Sequence, residues 1–136
     1  MADVLDMINA NLGGWNTHMG LRFTKVSDAE CVGELVINER HLQPYGIVHG
    51  GVHTGIIEAA CSTGAAVVAL ARGQAVVGVE NSTSFITAVR GGTLRVVATP
   101  VTRGRRTQVW QATVTSDEGK MCATGRVRVL CLDNPP

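Results

Sequence analysis

Gln43, His49, Gly50, Gly51, Glu58 and Ser62 fall within one short segment, QPYGIVHGGVHTGIIEAACS. Their types suit attack on an activated carbonyl. Glu58 is a carboxylate inside an otherwise apolar run, VHTGIIEAACSTGAAVVAL. An unpaired charge is costly to bury, so it needs either a partner or a task. As a task, it can attack a carbonyl carbon directly or act as a general base on water, and the residues leave both open. Ser62 follows at i+4 on the same helical face, where its hydroxyl can reach the carboxylate or a water. Gly50 stands where the apolar run begins as a helix. Backbone N–H groups there lack an intrahelical acceptor and sit at the positive end of the helix dipole. A carbonyl oxygen docked on the Gly50 N–H would be stabilised as it becomes an oxyanion, and a side chain would block its approach. Gln43 and His49 can hold the same carbonyl region, and the Gln43 amide can orient a nucleophile.

Gly50 and Glu58 are eight residues apart, about 12 Å along a helix at roughly 1.5 Å per residue. They cannot both touch one reacting carbon from a single chain. The spacing predicts a site that combines Gln43, His49 and Gly50 of one subunit with Glu58 and Ser62 of a neighbour. An antiparallel pair of such helices gives a homodimer with two sites about a two-fold axis.

Several elements must position these groups. Val4, Leu5, Met7, Ile8 and Leu12 recur at helical spacing, which predicts a helix over about 3–12 that Gly13-Gly14 stops, with Trp15 in the loop that follows. Two strands are expected over Leu21–Lys25 and Cys31–Ile37, turning at Ser27-Asp28. A loop with Pro44 and Gly46 leads into the main helix, from Gly51 to about Leu70, ended near Gly73. Strands are expected over Ala75–Val89, Thr93–Val101, Thr107–Ser116 and Met121–Leu132, with Asp117-Glu118-Gly119-Lys120 as a hairpin turn. In the third of these, Trp110, Ala112 and Val114 share one side. Strands joined by short turns must be antiparallel. The expected architecture is α+β, an antiparallel sheet wrapped around one long central helix, as a single domain over 1–136.

The composition narrows the partners. The formal net charge is +1, which argues against a nucleic-acid surface. No run of about 18 apolar residues lacks a glycine or a charge, so no membrane span is expected. The first residues, MADVLDMINANLGG, carry two acids and no base, unlike a signal peptide. Cys31, Cys61, Cys122 and Cys131 lack CxxC spacing and lie among apolar residues, which predicts buried reduced thiols, no metal site and a cytoplasmic location.

The spacing Q-P-Y-G-x-x-H-G-G-x₆-E, with VVGVENSTSF, Gly91-Gly92, TRGRRTQVW and DEGK further on, resembles the hotdog-fold acyl-CoA thioesterases across nearly the whole chain. Gln43 paired with Glu58 resembles the branch represented by 4-hydroxybenzoyl-CoA and 1,4-dihydroxy-2-naphthoyl-CoA thioesterases; the phenylacetic-acid-type branch has asparagine and aspartate there. The resemblance implies hydrolysis of acyl-CoA to free acid and CoA, with no cofactor, in dimers joined into a homotetramer. It implies catalytic roles for Glu58, Gln43, His49, Gly50 and Ser62. It also implies a substrate channel lined by Gly51, Ser82, Ser84, Phe85 and Thr87, and by the loop of Arg103, Gly104, Arg105 and Arg106. That loop is the densest positive cluster in the chain and suits the CoA phosphates. The branch often carries more polar residues where Ser84, Phe85 and Thr87 stand.

Plainer roles compete at each position. Glu58 can pair with Arg95 or Arg128, His49 can simply cap the helix, and His41 and His53 read as packing or surface residues. Gly64 and Ala59-Ala60 suit close helix packing. A non-catalytic acyl-CoA-binding protein would not need both Gln43 and Glu58. A thioester dehydratase of the same fold needs an HFP or D-x₄-H setting, and neither occurs in the chain.

Overall fold

The computed structural model describes residues 3–135. The order of elements is α1 (Val4–Ala10), α2 (Gly13–Met19), β1 (Arg22–Val26), β2 (Cys31–Val36), a 3₁₀ turn (Glu39–His41), α3 (Gly50–Leu70), β3 (Ala75–Phe85), β4 (Thr93–Arg103), β5 (Thr107–Thr115) and β6 (Met121–Leu132). The six strands form one antiparallel sheet in the order β1-β2-β4-β5-β6-β3. This is the expected α+β hotdog architecture, with α3 lying in the concave face of the sheet.

The core joins α3 to that face. Ile56, Ile57, Ala60, Cys61 and Ala65 of α3 are fully buried against Leu94, Val96, Trp110, Val114 and Val127 of the sheet. Helix and sheet approach closely at Gly64, where an added Cβ would lie 2.5 Å from the Trp110 ring. Trp110 Nε1 donates to Gln108 Oε1 at 2.9 Å, and Gln108 Nε2 donates to Ala65 O at 3.0 Å, so the buried polar atoms of this contact are satisfied. By length and composition α3 would suit a membrane span, but its buried residues face its own sheet.

Most boundaries shift by one or two residues from the sequence pattern, and two departures are larger. Residues 13–19 form α2 where a loop was expected. Gly13, at φ +81°, does break the first helix, and a second begins at once. Gly20 in the left-handed region closes α2, and Trp15 packs on Gly55 of α3, where a Cβ would lie 2.3 Å from the indole. Tertiary packing thus supplies what two glycines cost in helix propensity. The strand expected to reach Val89 ends at Phe85. Beyond it the chain turns in towards the start of α3, and Val89 O accepts the Val48 N–H at 2.8 Å.

All four cysteines are unpaired and buried. Burial pushes the Cys31 thiol up to about 12. Burial, aided by the nearby Glu58 charge, raises Cys61 as well.

Candidate functional site

His49 is the N-cap of α3, in extended conformation, and its Nδ1 accepts the Gly51 N–H at 2.8 Å. With Nδ1 accepting, a neutral ring carries its proton on Nε2, as a donor for a ligand. The Gly51 N–H is therefore occupied. The Gly50 N–H, ahead of any intrahelical acceptor, has no hydrogen-bond partner among the described residues. Gly50 is held against Phe85, and a Cβ there would lie 2.7 Å from the ring. Gln43 Oε1 accepts the Tyr45 N–H, which leaves its NH₂ as the group available to a ligand. Gln43, Gly50, His53, Phe85 and Thr87 line a common cavity of about 250 Å³. His53, read from sequence as packing or surface, is 4% exposed and its Nδ1 has no partner; burial holds its imidazole below the ordinary value. His41 is fully buried and structural. Its Nδ1 accepts the Asn38 N–H and its Nε2 bonds Met19 O at 2.7 Å.

Glu58 lies two turns further along α3 and does not reach this cavity. Neither suspected arginine pairs with it: Arg128 binds Glu80 at 3.2 Å, and no ion pair involves Glu58 among the described residues. Its partners are neutral. Ser62 Oγ donates to Glu58 Oε2 at 2.7 Å, as the i+4 spacing predicts, and Asn81 Nδ2 donates to Glu58 Oε1 at 3.2 Å. The carboxylate lies against β3 because residue 78 is glycine; a Cβ there would be 2.6 Å from Oε2. Ser62 also lines an apolar groove of about 710 Å³, with Ala59 and Thr63 of α3 and Met7 and Leu12 of the N-terminal segment.

Asn81 was not singled out in the sequence, whereas Ser82 and Ser84 were. Asn81 and Thr83 sit opposite inward-facing Val127 and Gly125 of β6, whereas Ser82 and Ser84 pair with Arg126 and Thr124 and are exposed. Within one chain these two serines therefore join neither Gly50 nor Glu58. Period-2 alternation from Phe85, once it is known to face α3, identifies Asn81 and Thr83.

Arg103, Gly104, Arg105 and Arg106 form the β4–β5 turn at the C-terminal end of α3, about 30 Å from Gly50 along the helix. Arg72, not anticipated, braces this turn by donating to Gly104 O at 3.1 Å and Arg103 O at 3.0 Å. Arg72 and Arg103 line a cleft of about 600 Å³.

Comparison with known proteins matches residues 45–123, more than half of the chain, to the model of the Thioesterase superfamily. The proofreading thioesterase EntH of Cronobacter sakazakii is 32% identical over 129 residues, covering 94% of this chain and 93% of that one. Among solved structures, AziG of S. sahachiroi superposes with a TM-score of 0.86 at 36% identity, covering 90% of this chain and 98% of that one. A thioesterase from Haemophilus influenzae superposes with a TM-score of 0.89 at 26% identity, covering 97% and 92%.

Proposed function

The chain belongs to the thioesterase superfamily, and from that premise we propose that this thioester hydrolase cleaves acyl-CoA to free acid and CoA through the Gln43–Glu58 pair. The observation that carries the reading is Glu58 itself. It is a carboxylate in the apolar central helix, held by two neutral donors and bound to no cation. The carboxylate is half-buried rather than sealed in the core, which leaves it within reach of a substrate.

Two half-sites have to be brought together. β3 is an edge strand of eleven residues that contains no proline and exposes Val79 and Phe85, whereas the other edge, β1, has five. A long open edge invites pairing with a second copy. Antiparallel β3–β3 pairing with Phe85 of one subunit near Gly78 of the other centres a two-fold near Asn81–Ser82. Because Phe85 contacts Gly50 and Gly78 contacts Glu58, that register brings the Gly50 N–H of one subunit beside the Glu58 carboxylate of its partner.

In the composite site the thioester oxygen binds the Gly50 N–H, with His49 Nε2–H and the Gln43 NH₂ as further donors. These groups stabilise negative charge as the tetrahedral intermediate forms. Glu58 attacks the carbonyl carbon or deprotonates the attacking water, and Ser62 holds the carboxylate in place. Where Glu58 acts as the base, collapse of the intermediate expels CoA with the proton that Glu58 took from water and leaves the free acid. Where Glu58 attacks, collapse expels the CoA thiolate and leaves an acyl–Glu58 anhydride, which water hydrolyses to the free acid and the restored carboxylate, a proton of that water going to the thiolate. The apolar groove beside Ser62 suits a hydrocarbon or aromatic acyl group. In the antiparallel dimer the arginine turn of one subunit lies at the same end as Gly50 of the other, where Arg103, Arg105 and Arg106 meet CoA phosphates.

Thiol release from a panel of aromatic and aliphatic acyl-CoAs, with a Glu58→Ala control, tests this reading. Turnover lost in the variant is the expected result. Turnover unchanged in the variant excludes Glu58 as the reacting group, and binding without turnover of any acyl-CoA excludes the hydrolase for that substrate class.

A further inference from the structure

We infer that Asn81 and Thr83 are positioning residues for the Glu58 carboxylate, linked in the order Thr83–Asn81–Glu58. The inference rests on the reading of Glu58 as the reacting group. Asn81 Nδ2 donates to both Glu58 Oε1 and Thr54 O, each at 3.2 Å, and Thr83 Oγ1 donates to Asn81 Oδ1 at 2.7 Å. The chemistry fixes the orientation of the Asn81 amide. Its NH₂ faces two acceptors, a carboxylate and a helix carbonyl; the flipped amide would set oxygen against both. The Thr83 hydroxyl supplies the donor that the amide oxygen needs. The two Glu58 oxygens thus have separate anchors, Ser62 on the helix and Asn81 on the sheet.

Two glycines make room for this chain of contacts. Gly78 lets the carboxylate reach the strand, and across the ladder Gly125 leaves space for Thr83, since a Cβ there would lie 2.5 Å from Thr83 Oγ1. A long side chain such as Glu58 has three rotatable bonds, and Ser62 alone restrains only one oxygen. Anchoring both oxygens reduces the carboxylate to one pose, and a misplacement of about 1 Å at a reacting group can cost about 100-fold in rate.

The experiment measures kcat, KM and Tm for Asn81→Ala, Asn81→Asp, Thr83→Val and Thr83→Ser, with Glu58→Gln as reference, on an acyl-CoA that the wild type hydrolyses. Asn81→Asp keeps the volume and the acceptor for Thr83 but turns an oxygen towards Glu58. Expected are kcat losses of about 10- to 100-fold for both Asn81 variants, with KM within about two-fold. A smaller kcat loss is expected for Thr83→Val, with near-normal turnover in Thr83→Ser. Thr83→Val should add nothing to Asn81→Ala, because it acts through Asn81. Wild-type kcat in folded Asn81→Asp, or additive losses in the double variant, would overturn the inference while leaving Glu58 as the reacting group. Should Asn81→Ala not fold, Asn81→Asp and Thr83→Val decide the question through kcat, and the double variant is built on Asn81→Asp. Wild-type turnover in Glu58→Gln would overturn the reading of the site and this inference together.

Discussion

The start of α3 and its middle present polar groups in different ways. At the start the working donor is a backbone N–H, exposed because the helix begins at Gly50 and because His49 occupies the next one. In the middle the backbone N–H groups are taken within the helix, so donors and the reacting carboxylate have to come from the side chains of Glu58, Ser62 and Asn81. The first region gains its character from where an element starts, the second from which residues two packed elements set against each other. The first can stabilise developing negative charge and the second can attack or take a proton. Eight residues of helix hold them apart, and in the proposed composite site each is one half.

Glu58→Ala tests the sharpest form of this contrast and carries the largest expected effect. Hydrolysis should fall by about 10²- to 10⁴-fold with little change in melting temperature, since the carboxylate is not part of the apolar core. Gly50→Val should come next. Its side chain must displace Phe85, which lines the cavity, and it obstructs the N–H, so a loss of about 10²- to 10³-fold is expected in kcat/KM. Co-expression of the two variants separates shared sites from sites within one chain. A heterodimer contains one intact composite site and one doubly defective site, so it should recover about half of wild-type activity. Absence of recovery in purified heterodimers would mean that the halves do not belong to different subunits.

Smaller effects distinguish positions that pack from positions that react. Gly64→Ala pushes a methyl into the Trp110 ring, which is fully buried and tethered through Nε1 to Gln108, so the ring has little room to yield. A loss of about 1–3 kcal/mol in denaturant unfolding is expected, with kcat preserved. His53 should give the smallest effect. Burial holds its imidazole below the ordinary value of 6.5, so the folded chain binds fewer protons there than the unfolded chain. The sign follows: stability is unaffected above about pH 7 and declines as pH falls below 6.5. His53→Phe should flatten the acid side of a melting-temperature profile taken between about pH 7 and pH 5.

Local pattern was enough for much of this molecule. The period of the apolar residues and the turn residues between them defined β6 over Met121–Leu132 and α3 to within one residue. The distance along one helix separated Gly50 from Glu58, and i+4 spacing joined Glu58 to Ser62, because both follow from helical rise and twist alone. Other features depended on contacts between distant segments. Helix α2 forms across two glycines because Trp15 finds a bare patch at Gly55. Val79 interrupts the pairing of β3 with β6 as a bulge, between Gly78 and Glu80. Only tertiary structure decided which face of β3 meets α3, and so that Asn81 and Thr83, rather than Ser82 and Ser84, stand beside Glu58. Alternation divides a strand into two faces; which of them turns inward is set by what packs against it.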